Sequence, residues 1–219
     1  EIGVRLVGSE MCIRDRTDSM SAWRTTETDS IKEYVENAGG EFIVKDAGGD
    51  IATQESDIRD LVAAGVDYLV VAPLEDNGLQ GALEEAMANE IPVILVDRSI
   101  EGEAGTHYTT AIMSDFVWEG EQCAKALMEA LPDGGKVVII NGGYDSSTST
   151  DRQDGFVNAL DTEKYEIVAE QDGEWLMDKA QAVMENILQA QGGENIDAVF
   201  CVTDDMVQGC LLYTSPSPR

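Results

Sequence analysis

Between residues 57 and 98 the apolar positions change period twice. Ile58, Leu61 and Val62 recur at helical spacing, Tyr68 to Ala72 is a short continuous apolar run, Leu79, Leu83, Ala86 and Met87 return to helical spacing, and Pro92 to Val96 is apolar again before Asp97 and Arg98. Short runs without polar alternation read as strands buried on both faces, and their alternation with amphipathic helices predicts a parallel sheet between helical layers. Such sheets take ligands at the carboxyl ends of their strands, where Asp97 and Arg98 fall.

The same reading extends along the chain. It predicts a helix from Ala22 to Ala38 stopped by Gly39 and Gly40, a strand from Phe42 to Lys45, a helix from Ile51 to Ala64, a strand from Tyr68 to Ala72, a helix from Leu79 to Asn89 and a strand from Val93 to Val96. An irregular crossing from His107 to Ser114 follows. A second series then runs as helix Phe116 to Leu131, strand Val137 to Ile140, helix Asp151 to Leu160, strand Tyr165 to Ala169, helix Trp175 to Gln191 and strand Ala198 to Val202, with a further helix beginning at Asp204. The expectation is an α/β chain of two doubly wound parallel-sheet lobes, residues 17–111 and 112–209, the second incomplete.

The two ends carry a different signature. Glu10 to Asp15 written as GAG ATG TGT ATA AGA GAC gives, on the opposite strand and in another frame, codons for Leu211, Leu212, Tyr213, Thr214 and Ser215; Val7 to Ser9 treated the same way yields Pro216 to Pro218. One DNA stretch read in opposite directions accounts for both ends, and it resembles a transposase-type sequencing adapter. Residues 1–16 and 210–219 are therefore expected to be adapter-like, with Glu1 to Val4 either more adapter or the remnant of a first strand. Val7 to Arg16 and Leu211 to Arg219 are expected to pack poorly and to stay out of the sheet's hydrogen bonds, since such sequence is unselected against this core.

Charge narrows the partners. The formal net charge is −29, and the acidic excess lies within residues 17–209, a balance hostile to nucleic acid and to anionic membranes. No apolar stretch is long enough to span a bilayer. A signal sequence is expected to be missing from this fragment. Cys123 and Cys201 read as buried small hydrophobes rather than as a disulfide or metal pair.

Catalytic chemistry is hard to assemble from these residues. The single histidine, His107, has nothing nearby to make a relay and reads as a loop or crossing residue; no Cys/His spacing suits zinc. Glu84 with Glu85 reads as a solvated face, and Asp204 with Asp205 as a helix N-terminus that favours negative charge. The turn from Asn141 to Thr150 follows a strand and precedes a helix, the place for a phosphate cradle, but it lacks the Walker lysine and the GxGxxG spacing. It reads instead as a ligand-facing or surface loop. No catalytic residue, metal site or cofactor is expected.

What does recur near strand ends and helix starts is a mixture of indoles (Trp23, Trp175), guanidiniums (Arg24, Arg98, Arg152) and a carboxylate (Asp97). Sugars suit this mixture, because carboxylates and guanidinium forks each engage two hydroxyls while an indole packs on the C–H face of the ring. Taken singly, each Arg reads as a surface ion-pair partner, each Trp as a core aromatic and Asp97 with Arg98 as a local ion pair. Their common edge favours a ligand.

Five segments, Ser21 to Thr28, Gly65 to Pro73, Ile91 to Ser99, Asp151 to Phe156 and Thr203 to Met206, resemble in order and spacing the periplasmic sugar-binding proteins of bacterial ABC transporters. The Ala-Trp-Arg-Thr-Thr-Glu stretch from Ala22 and Asp97 to Ile100 look most like the galactofuranose-binding branch. The resemblance implies two lobes joined by a hinge, closing on one monosaccharide and presented to an ABC permease. Trp23 would stack on the sugar, Arg24 and Glu27 would bind or brace hydroxyls, Asp97 and Arg98 would clamp from the first lobe, and Arg152 and Trp175 would close from the second. Thr203 departs from the family's usual asparagine, which bears on the choice of sugar.

The implied protein is a monomeric, non-enzymatic solute-binding protein, periplasmic or extracytoplasmic, free or lipid-anchored, with no nucleic-acid partner. Two rivals remain. The effector-binding core of a sugar-responsive transcriptional repressor would need a basic helix-turn-helix head. An enzyme on a doubly wound sheet would need a base, nucleophile or metal site.

Overall fold

The computed structural model describes residues 10–15 and 22–214. The chain divides into two units, Glu1–Ser114 and Asp115–Arg219. The first holds a five-stranded sheet in the order β2-β1-β3-β4-β5, with β1 Glu10–Asp15, β2 Glu41–Asp46, β3 Tyr68–Val71, β4 Val93–Val96 and β5 Thr110–Ile112, every neighbouring pair parallel. Helices α1 Ala22–Asn37, α2 Ile51–Ala64 and α3 Gln80–Ala88 connect the strands.

The apolar runs at β3 and β4 are double-sided because the sheet is covered on both faces. Leu69, Val71, Val93 and Leu95 join Ile58, Leu61, Leu79 and Leu83 of α2 and α3 in one core. Val70, Ala72 and Val96 meet Ile31 of α1 and Phe42 on the other face. Helix boundaries follow local chemistry: Asp50 caps α2 by accepting the Thr53 N–H at 2.9 Å, and Gly65 ends it at φ 76°, a left-handed conformation that glycine adopts without a Cβ penalty.

The second unit has a three-stranded parallel sheet, β7-β6-β8, from β6 Gly135–Asn141, β7 Tyr165–Asp172 and β8 Ala198–Cys201. Four helices accompany it: α4 Phe116–Ala130, α5 Ser147–Ala159, α6 Met177–Gln191 and α7 Asp204–Thr214. Its core runs through Val137 to Ile140, Met184 and Met206, with the Phe156 and Phe200 rings stacked at 4.1 Å. Helices α4 and α5 touch backbone to backbone. A Cβ on Gly120 would lie 2.0 Å from the Arg152 carbonyl oxygen, and one on Gly155 would lie 2.0 Å from that of Val117.

Four expectations change. Glu10–Asp15, expected outside the sheet, is an interior strand of it, in parallel register with both β2 and β3. Five strands wound in this order leave a slot between β2 and β3, and a six-residue extended segment just upstream of α1 occupies it, whatever its origin. Residues 1–9, 16–21 and 215–219 lie outside the described residues. Leu211 to Thr214, likewise expected to pack poorly, continue α7, with Leu211 and Leu212 exposed. Part of the irregular crossing, Thr110–Ile112, is the edge strand β5, three residues being too few to show period two. Cys123, read as buried, is exposed on α4, and Cys201 is half-buried.

Candidate functional site

In each unit the carboxyl edge of the sheet has a point where the chain turns from one side of the first strand to the other, the place where doubly wound sheets leave a crevice. In the first unit this point lies between β1 and β3; in the second it lies between β6 and β8.

The first edge is a network of charge. The Arg24 guanidinium, on the first turn of α1, donates through Nη1 to Glu27 Oε2 at 2.5 Å and through Nη2 to Asp97 Oδ2 at 2.6 Å. Arg98 Nε lies 3.7 Å from the same Asp97 oxygen, and Arg98 Nη1 donates to the Leu74 carbonyl at 3.0 Å. Arg24 and Arg98 are both buried, which demands such pairing, because an uncompensated interior charge is far costlier than a bonded one. The Arg24 guanidinium also sits 5.0 Å from the Trp23 ring centroid, and Trp23 is 56% exposed, which rules out the core reading for this indole. The five residues proposed from sequence in this unit, Trp23, Arg24, Glu27, Asp97 and Arg98, thus form one cluster.

Two features of that edge escaped the sequence reading. Gln54 is fully buried within the apolar face of α2, donating to the Ala72 carbonyl and accepting from the Leu74 N–H, both at 2.9 Å. It holds the turn after β3 whose Leu74 carbonyl receives Arg98. A polar residue one turn before Ile58, on the core stripe, was the signal. Asp97 has φ 64°, a left-handed conformation uncommon outside glycine and tolerated by Asp, which turns its carboxylate back toward Arg24. Left-handed backbone at residues other than glycine clusters at functional sites.

The second edge is more open. Trp175, half-buried, lies at φ 63° beside Glu174 at φ 51°, adjacent strained residues that aim the indole across Gly142. A Cβ on Gly142 would fall 2.4 Å from the indole, so glycine there is what lets the ring lie flat on the turn. Arg152 donates through Nε to Glu119 Oε2 at 2.7 Å and through Nη1 to the Thr148 carbonyl at 3.4 Å, with its guanidinium 4.5 Å from the Phe116 centroid. Arg152 makes its contacts with Glu119, Thr148 and Phe116, while the Trp175 indole lies against Gly142.

The turn from Asn141 is no surface loop. Ser146 to Ser149 are buried and α5 begins at Ser147, earlier than predicted, with Ser149 Oγ accepting the Gly142 N–H at 3.0 Å. Asn141 is fully buried, donates to Gln153 at 2.6 Å and to Glu170 at 3.3 Å, and leaves its Oδ1 without a hydrogen-bond partner among the described residues. Thr203 Oγ1, just past β8, is buried and unpartnered in the same way. Buried polar atoms without partners are rare, and two at one switch point mark a place where a hydroxylated ligand would complete the bonding. Burial pushes the exposed-edge Tyr144 phenol above its ordinary value, against the opposing hydrogen bond from Asn141, so it stays a neutral donor near neutral pH. His107 accepts the Glu103 N–H at Nδ1 and lies 3.2 Å from Glu84 through Nε2, a structural pairing at the surface.

The profile of the periplasmic binding protein domain matches residues 17–215. The chain belongs to the periplasmic binding protein domain family. Among members of that family, the galactofuranose-binding protein YtfQ of Escherichia coli (strain K12) is 33% identical over 96% of this chain and 64% of its own length. The ribose import binding protein RbsB of Bacillus subtilis (strain 168) is 35% identical over 83% of this chain and 57% of its own length. The chain therefore spans about three fifths of these relatives. A crystal structure of a galactofuranose binding protein superposes with a TM-score of 0.89 at 31% identity, covering 93% of this chain and 70% of that one. Among the described residues no helix of this periplasmic binding protein domain is long and apolar enough to cross a membrane, and no cluster of His, Cys, Asp and Glu is arranged to hold a metal ion.

Proposed function

We infer that this chain binds a neutral monosaccharide at the carboxyl edges of its sheets and serves an ABC-type importer as its extracytoplasmic solute-binding component, without catalysing a reaction on the sugar. The observation that carries the reading is the Arg24–Asp97–Arg98 cluster: a carboxylate at a strand end, fixed by two buried guanidiniums, is oriented to accept from sugar hydroxyls. Trp23 beside it offers an exposed apolar face for the C–H side of a ring. On the second edge Trp175, Arg152, Asn141 and Thr203 supply a second indole, a guanidinium and two buried oxygens in need of partners. The names of the similar proteins, galactofuranose-binding and ribose import binding, support a sugar over other small solutes and an importer over a repressor. The partners are the monosaccharide and a permease, and the protein acts as a monomer with no cofactor.

The test is calorimetry of the protein expressed from its complete reading frame against galactofuranose, galactose, ribose and arabinose, with chromatography of the sugar afterwards. Binding of one with a dissociation constant near micromolar, about −8 kcal/mol, and unchanged sugar is expected. Silence on all four, or any product, rejects the reading.

A further inference from the structure

We propose that Glu119 is a specificity-determining residue: it neutralises and pins Arg152, so that this guanidinium serves a neutral hydroxyl and turns away carboxylate and phosphate groups. The inference rests on the sugar-binding reading above and deepens it.

Three contacts hold the guanidinium. Glu119 takes Nε at 2.7 Å, the Thr148 carbonyl takes Nη1 at 3.4 Å, and Phe116 covers a face at 4.5 Å. Nη2 makes no hydrogen bond among the described residues, and the side chain remains 20% exposed, so N–H donors are left for a ligand. With Nε given to Glu119, the Nε/Nη2 edge of the fork can no longer take a carboxylate or phosphate through two parallel bonds, and the direction of the plane is fixed. An anion approaching Nη2 also meets the Glu119 charge on the same guanidinium, in a chain of net charge −29.

The backbone prevents the pair from parting. Gly120, next to Glu119, touches the Arg152 carbonyl, and Gly155 touches that of Val117; any side chain at either glycine would force α4 and α5 apart. The spacing between the backbones that carry Glu119 and Arg152 is therefore set by a reciprocal glycine contact rather than by the ion pair. Replacing Glu119 by Gln should leave Arg152 in place and expose its charge. The first unit uses the same device, with Glu27 and Asp97 compensating Arg24.

The experiment compares wild type, Glu119→Gln and Glu119→Gln/Arg152→Gln by calorimetry with the best neutral sugar of the panel and with D-galacturonate and inorganic phosphate, after urea unfolding confirms that each variant folds. Wild type should ignore both anions at a hundred times the concentration that saturates the neutral sugar. Glu119→Gln should lose less than tenfold for the neutral sugar while gaining at least tenfold for galacturonate relative to it, and the gain should vanish in the double variant. An unchanged ratio, or a gain that survives loss of Arg152, overturns the proposal. Should wild type bind no neutral sugar, the sugar reading falls by itself. Phosphate binding by Glu119→Gln but not by wild type then supports the role of Glu119, and equal indifference overturns it.

Discussion

Arg24 and Arg152 are both guanidiniums held by carboxylates, but the first is 6% exposed and bonded to two acids from different elements, whereas the second has one acid partner and an Nη2 without a hydrogen bond among the described residues. Burial makes the first cluster part of the fold's own stability, so it can change little without unfolding cost. The second pair is exposed enough to be altered at small cost to folding. A charged cluster built into the core fixes its geometry, and one carried on a helix surface leaves room to change.

The sharpest contrast should come from removing one acid in each unit. Asp97→Ala takes a shared carboxylate from buried Arg24 and Arg98 and is expected to cost about 3 kcal/mol in urea unfolding, whereas Glu119→Ala, at a partly exposed pair, should cost about 1 kcal/mol or less. Equal costs would break the comparison. Gln54→Leu should follow at about 2–4 kcal/mol, because it leaves the Ala72 carbonyl and Leu74 N–H buried without partners; a loss below 1 kcal/mol would show that the turn after β3 does not depend on it.

Indole truncation moves affinity more than stability. Trp23→Ala should cost about 2 kcal/mol of sugar binding by calorimetry with an unfolding midpoint close to wild type, while Trp175→Ala, half-buried on the core, should lower both. The smallest effect is a titration. Partial loss of hydration first, then Glu119, raises the Cys123 thiol above its ordinary value, with Arg152 pulling it down. The folded chain holds this proton more tightly than the unfolded one, so the associated stability is present below the unfolded thiol value and is lost as pH rises through the folded one. Iodoacetamide should label Cys123 faster in Glu119→Gln and slower in Arg152→Gln; reversed rates would place these charges elsewhere.

The fold was legible where burial acts on both faces of a strand. Leu69 to Val71 and Val93 to Val96 show it because each residue meets a helix layer, on one side or the other. β1 was not legible, since its sequence argued for a foreign origin, and strand pairing through backbone groups asks little of the residues that fill an interior slot. The charged cluster of the first unit was readable because Asp97 and Arg98 directly follow a strand. Gln54, Glu119 and Asn141 were not, as each acts through a partner 18 to 33 residues away or by an orphaned atom that only packing reveals. The serine and threonine run before Thr150 looked like a loop because hydroxyl side chains favour turns, yet burial against the unit drew it into α5.

The most direct test of the central claim follows the indole N–H signals of Trp23 and Trp175 and the guanidinium Nε–H signals of Arg24, Arg98 and Arg152 by NMR while the sugar that gives heat is added. The account predicts that signals from both edges move together, with one midpoint equal to the calorimetric one and a stoichiometry of one sugar per chain. Heat of binding with these five side chains unmoved, or movement at one edge only, would contradict it.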